Sequence, residues 1–120
     1  MLFTRKPKDV TPEDAAAGLA QGNLTLVDVR NADERTEGGV AGSLHIPLDQ
    51  LLGRLGELPA GQPAAFVCRS GGRSSSAARA AAKHGVQALN VRGGMLAWQK
   101  AGLAIEPAGR LAGGRAGQRA

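Results

Sequence analysis

The sequence predicts an α/β domain built on a mostly parallel sheet with helices on both faces. Three observations predict it. Short apolar, β-branched runs recur at residues 24–29 (LTLVDV), 64–68 (AAFVC) and 86–91 (VQALNV). Segments of helical character separate them, and alternation of this kind favours parallel strands joined by crossover helices. The chain has 120 residues, enough for one domain whose core forms without metal or disulfide staples.

The elements follow in order. Thr11-Pro12-Glu13-Asp14 opens a helix, with Thr as N-cap, Pro in the first turn and acids facing the positive helix end. Its alanine-rich body runs to Gln21 and stops at Gly22. Residues 24–29 are continuously apolar apart from Thr25 and Asp28, which suits a strand buried on both faces. Residues 31–38 read as a short polar helix, and residues 42–47 (GSLHIP) as a brief strand stopped by proline. Residues 49–58 place Leu51, Leu52, Leu55 and Leu58 at helical spacing, predicting an amphipathic helix. After the strand at 64–68, residues 74–84 form an Ala/Arg/Lys helix closed by Gly85, with Ser74 as its N-cap. A strand over 86–91 and a helix over 95–101, ended by Gly102, complete the domain.

Composition narrows the function. No apolar run approaches the roughly 18 residues of a membrane span, and MLFTRKPKD lacks a signal-peptide core, so the expectation is a cytoplasmic protein. The net charge is +5. It resides in the ends: residues 9–106 carry nine basic and ten acidic side chains. The sequence therefore reads as a basic extension over 1–8, a domain over 9–106 and a disordered basic tail over 107–120, rich in Gly, Ala and Arg without period. With no tyrosine, one tryptophan and two phenylalanines, the chain offers no base-stacking platform, and nucleic acid is not an expected partner. Within the domain, residues 58–106 hold a single acid, Glu106, against six basic residues, so a small ligand of this half is expected to be an anion.

The chemistry concentrates at Cys68-Arg69-Ser70-Gly71-Gly72-Arg73-Ser74, where an apolar strand gives way to a helix. Cys68 is the only cysteine, which excludes an intrachain disulfide. Gly71 and Gly72 allow a tight turn that aims successive N–H groups inward. The helix N-terminus, Arg69 and Arg73 add positive potential at the same place. The first anion so favoured is the Cys68 thiolate. A free thiol is only about 3% ionised at neutral pH, and lowering its pKa by two units takes roughly 2.7 kcal/mol, within reach of a helix terminus plus several charge-assisted N–H donors. No histidine is needed as base. His45 and His84 show no zinc-ligand spacing, no dinucleotide glycine motif is present, and no cofactor is expected.

This loop resembles the active-site loop of the rhodanese family of sulfurtransferases, whose small bacterial members read C-x-x-G-x-R-S. Three further segments are similar to that family in the same order. They are Leu26-Val27-Asp28-Val29-Arg30; Glu34 with residues 38–47 (GGVAGSLHIP), against E-x-x-x-G-H-I-x-G-A-x-N-I-P; and Gly93-Gly94-Met95-Leu96-Ala97-Trp98. Three departures stand out: Gly39 replaces the usual histidine, Arg35 the usual aromatic residue and His45 the usual asparagine.

The resemblance implies a two-step transfer in which Cys68 takes the outer sulfur of a donor such as thiosulfate, then yields it to a thiophilic acceptor. Backbone N–H groups from Arg69 to Ser74 hold the persulfide, and Arg69 meets the anionic donor. Arg73 is expected to turn back and brace the loop against Asp28, with Asp28 and Arg30 as loop support. The expected partners are a small anionic sulfur donor and a thiol or protein acceptor, without membrane or nucleic acid, and the chain is expected to be a monomer. Two rivals remain: a non-catalytic rhodanese-like binding module, and a cysteine phosphatase or arsenate reductase. The latter loops resemble C-x5-R, whereas four residues separate Cys68 from Arg73, a smaller ring suited to a single sulfur.

Overall fold

A computed structural model describes residues 6–111. Strand β1 (Lys8–Val10) leads into helix α1 (Pro12–Ala20), where the Thr11 hydroxyl accepts from the Asp14 N–H at 3.0 Å. Strand β2 (Thr25–Asp28) and helix α2 (Ala32–Arg35) follow, then the two-residue strand β3 (Leu44–His45). Strand β4 (Ala64–Val67), helix α3 (Gly72–Lys83), strand β5 (Ala88–Val91) and helix α4 (Gly94–Lys100) complete the order. These five strands pair in parallel, in the order β1-β5-β4-β2-β3, and an isolated antiparallel bridge joins Gly39 to Glu106. The predicted α/β class is the observed one.

The central strands β2 and β4 are buried along their whole length, and their alternating side chains feed two separate cores. Val27, Val29, Phe66 and Cys68 pack on one face against Ala77, Ala78 and Ala81 of α3. Leu26, Ala65 and Val67 pack on the other against Ala15 of α1 and Met95 and Trp98 of α4. The strand carboxyl ends, where β2, β4 and β5 hand over to loops, lie together along one edge of the sheet, the usual position for a site in this architecture.

Two sequence expectations are corrected, and two features were not foreseen. Residues 49–58 are not an α-helix but two 3-10 helices, Leu48–Gln50 and Leu52–Glu57. Gly53 and Gly56 each disfavour an α-helix by about 1 kcal/mol, and the core-facing pairs Leu48/Leu51 and Leu55/Leu58 are three apart, the 3-10 period. Leu52, counted on the apolar face, is 55% exposed. Helix α3 starts at Gly72 with Gly71 as N-cap, so Ser74 lies inside the first turn rather than capping it. The strand β1 was not foreseen, since a three-residue polar edge strand has no apolar period to announce it. Regular structure also runs into both segments expected as tails: Lys8 belongs to β1, and a 3-10 turn over Ala108–Arg110 brings Leu111 into a buried position. Residues 1–5 and 112–120, the rest of those two segments, lie outside the described residues.

Candidate active site

Cys68 follows β4 directly and is 1% exposed. The loop after it is fixed from behind by α4. The Met95 N–H donates to the Cys68 carbonyl at 2.8 Å, and the Leu96 N–H donates to the Arg69 carbonyl at 3.1 Å. In a trans peptide the carbonyl and the next N–H point opposite ways. Two carbonyls drawn toward α4 therefore turn the N–H groups of Arg69 and Ser70 away from it, into the loop. This docking needs Gly94, whose φ is +61° and where a Cβ would overlap the carbonyl oxygens of Cys68 and Arg69. Gly71 turns the chain with φ +113°, a conformation open to glycine.

The result is a ring of donors around Sγ. The Gly71 N–H donates to Cys68 Sγ at 3.1 Å and the Ser74 N–H at 3.3 Å, and Ser74 Oγ lies 3.3 Å from Sγ. Burial by itself pushes the thiol pKa up. The Ser74 hydroxyl and the N–H groups of Ser74, Gly71 and Ser70 outweigh it and hold Cys68 below the ordinary thiol value.

Arg73, in the first turn of α3, does not meet Asp28 as expected. Its guanidinium clasps Glu34 of α2, with Nη1 to Oε1 at 2.6 Å and Nη2 to Oε2 at 2.8 Å. The hydrogen bonds from Arg73 lead the causes that lower the Glu34 pKa to about 2. Glu34 is itself held by a capping box: its Oε1 accepts from the Asn31 N–H and its own N–H donates to Asn31 Oδ1, both at 3.0 Å.

Asp28 is taken by other cations. Arg30 donates to it through Nη2 at 2.7 Å and through Nε, and Arg35 donates through Nη1 at 2.9 Å. Burial raises the Asp28 pKa, but Arg30, then Arg35, outweigh this and bring it below the usual carboxylate value. Arg30 also donates to the carbonyls of Gly38 (2.7 Å) and Glu34 (3.4 Å). The Asp28–Arg30 pair thus reaches the loop at second hand, by holding the segment that carries Glu34.

The structure gathers Cys68, Ser70, Gly71 and Ser74 around the sulfur. Gly72 begins α3, and Arg73 faces outward to Glu34. Arg69 is exposed and lines a cavity of about 400 Å³ with Arg30, Glu34, Met95, Leu96 and Gln99, among others. Three contributors escaped the sequence reading. Glu34 entered only as part of the family-like motif; Asn31 three residues before it is the available signal for its place in a capping box, but nothing signals its pairing 39 residues away. Arg35, noted only as standing in for the family's usual aromatic residue, packs on Asp28 and Ser43. Asn90 of β5 accepts from Ser74 Oγ at 2.6 Å, and no motif marks it.

Known proteins share this sequence pattern and fold. The family model for the rhodanese-like domain matches residues 11–101. A sulfurtransferase of Allochromatium vinosum is 34% identical over 84 residues, covering 69% of this chain and 78% of the relative. A rhodanese-related protein of Thermoplasma volcanium superposes with a TM-score of 0.75 at 26% identity, covering 82% of this chain and 96% of the other. A rhodanese-like domain protein of Staphylococcus aureus does so with a TM-score of 0.73 at 30% identity, covering 82% and 98%. Matched in sequence over most of its length and in the course of its backbone, the chain belongs to the rhodanese-like family.

Proposed function

We propose that the protein is a sulfurtransferase that carries a sulfane sulfur on Cys68, from thiosulfate or a persulfide donor to a thiophilic acceptor. The observation that carries this reading is the ring of N–H and O–H donors converging on a buried cysteine sulfur. Such a ring lowers the energy of an attacking thiolate and of the anionic outer sulfur of a persulfide alike.

With thiosulfate, the Cys68 thiolate attacks the outer sulfur, the S–S bond of the donor breaks, and sulfite leaves with the electron pair. The product is Cys68–S–S⁻. An acceptor nucleophile (cyanide in an assay, a thiol in a cell) then attacks the outer sulfur, and Cys68 departs as thiolate. The cycle is redox-neutral and needs no cofactor. Arg69, exposed at the mouth of the loop, suits the negative end of the donor, whereas Arg73 is engaged by Glu34.

The loop length supports sulfur over phosphate. A transferred phosphoryl group requires donors around three equatorial oxygens, and four residues between Cys68 and Arg73 close a small ring. An intact cysteine and loop also weigh against a purely binding module. We further propose that the chain works as a cytoplasmic monomer with a small anionic donor and a thiol or protein acceptor. Among the described residues, no helix is long and apolar enough to cross a membrane.

The test is thiocyanate formation from thiosulfate and cyanide by the full chain beside Cys68→Ser. Turnover in the wild type that is lost in Cys68→Ser supports the reading. Hydrolysis of a small aryl phosphate in place of thiocyanate formation would overturn it.

A further inference from the structure

Behind the cysteine, a hydrogen-bonded chain runs from the sulfur to the surface. Ser74 Oγ lies 3.3 Å from Cys68 Sγ, 3.3 Å from the Gly71 carbonyl oxygen and 2.6 Å from Asn90 Oδ1. Asn90 Nδ2 donates in turn to Asp9 Oδ1 on β1, at 3.1 Å. Ser74 is fully buried, Asn90 is 8% exposed and the Asp9 side chain is 47% exposed.

The donor count along this chain is decisive. A carboxylate only accepts, so Asp9 obliges Asn90 to turn its NH2 outward and its carbonyl oxygen toward Ser74. That oxygen also only accepts, so the short bond from Ser74 consumes the one hydroxyl hydrogen. With Cys68 protonated, every group is satisfied, because the S–H donates to the free lone pair of Ser74 Oγ. With Cys68 ionised, the sulfur competes for the same hydrogen with Asn90 at 2.6 Å and with the Gly71 carbonyl at 3.3 Å. In a persulfide the charge moves to the outer sulfur, and the hydroxyl returns to Asn90.

We propose that Asn90, oriented by Asp9, is a positioning residue that competes with the Cys68 thiolate for the Ser74 hydroxyl hydrogen and thereby limits how far that hydroxyl acidifies the nucleophile. The inference rests on Cys68 being the sulfur carrier. Part of the depression of the thiol pKa comes from the Ser74 hydroxyl, so the share of that hydrogen that Asn90 takes is lost to the sulfur. Among the described residues, few charged groups face this hydrogen-bonded chain. Asp9 has Arg92 at 3.7 Å, α3 contributes Arg73 with its Glu34 partner, β2 contributes Asp28 through its field on Arg73, and α4 meets Cys68 through a backbone N–H.

The experiment is the pH dependence of Cys68 alkylation by iodoacetamide on the full chain, a readout independent of sulfur transfer. Asn90→Ala frees the hydroxyl, and its midpoint is expected to fall by about half to one pH unit, an approximately three- to tenfold gain in thiolate below the midpoint. Asp9→Asn, a substitution on a half-exposed side chain, lets the Asn90 amide turn over and moves the midpoint the same way by less. Both shifts are expected to vanish in the Ser74→Ala background. An unchanged midpoint in either single variant overturns the proposal, and so does a shift that survives Ser74→Ala, which assigns it to the Asp9 field or to repacking. Should Asn90→Ala fail to fold, Asp9→Asn with and without Ser74→Ala decides alone. A protein that fails to form thiocyanate yet shows these shifts retains the positioning chain and loses only the proposed reaction.

Discussion

Arg73 and Glu34, 39 residues apart, meet through two hydrogen bonds of 2.6 and 2.8 Å that tie the first turn of α3 to α2. Since Ser74 and its N–H to the sulfur follow Arg73 immediately, this pair fixes the height of the loop over Cys68. Glu34→Gln leaves Arg73 one neutral acceptor and loses the fork. The expected result is a stability cost of about 1 kcal/mol, as for a partly exposed pair, with a fall of about tenfold in the rate of sulfur transfer from misplaced donors. Thermal unfolding beside thiosulfate:cyanide kinetics checks both numbers, and a rate loss no larger than the stability loss would reduce the pair to a structural one.

The same pair predicts an acid limb. Arg73 lowers the Glu34 pKa to about 2 from its ordinary 4.5, so its contribution to stability is fully present above about pH 4.5 and is lost as the pH falls toward 2. Denaturant titrations across that window are expected to show a steeper loss for the wild type than for Glu34→Gln. Equal slopes would contradict the assignment.

Gly94 is the most constrained position behind the loop. Gly94→Ala forces a Cβ into the carbonyls of Cys68 and Arg69 at a φ of +61°. The backbone strain alone costs about 1–3 kcal/mol, and the loop must leave α4. The variant is expected to unfold at lower temperature, and its Cys68 to alkylate with a midpoint nearer that of a free thiol. A variant with unchanged thiol acidity would show that docking on α4 does not aim the N–H groups.

The sheet was legible because its central strands are continuously apolar, and the cysteine loop because Gly-Gly, two arginines and a helix start coincide in seven residues. What escaped depended on distant partners. Leu52 and the helix expected over 49–58 failed because spacings of three and four are hard to separate in a leucine-rich stretch that also contains Gly53 and Gly56. Asp28 was the natural acid for Arg73 by position, but Arg30 and Arg35 already fill it. Nothing in the sequence pairs Asp9 with Asn90, because the polar strand β1 that aligns them has no periodic signature.

Two of the departures from the family pattern, Gly39 and Arg35, lie against each other. A Cβ on Gly39 would lie 3.0 Å from Arg35 Nη1, 3.3 Å from Arg30 Nη2 and 3.2 Å from Leu111 Cδ1. The missing histidine leaves the room that the Arg35 guanidinium occupies on its way to Asp28. Gly39→His is therefore expected to destabilise the protein by about 1–3 kcal/mol through overpacking. In an Arg35→Phe background the cost is expected to shrink by about 1 kcal/mol. Strict additivity in this double-mutant cycle would refute the coupling.

The central claim, that Cys68 carries the sulfur, is tested most directly by intact mass spectrometry of the reduced protein after brief exposure to thiosulfate, beside Cys68→Ser. The account predicts a gain of one sulfur atom in the wild type, removed by cyanide and absent from the variant. A folded wild type with a free thiol that gains no sulfur from thiosulfate or from a small persulfide donor, or a Cys68→Ser variant that gains it equally, would contradict the account.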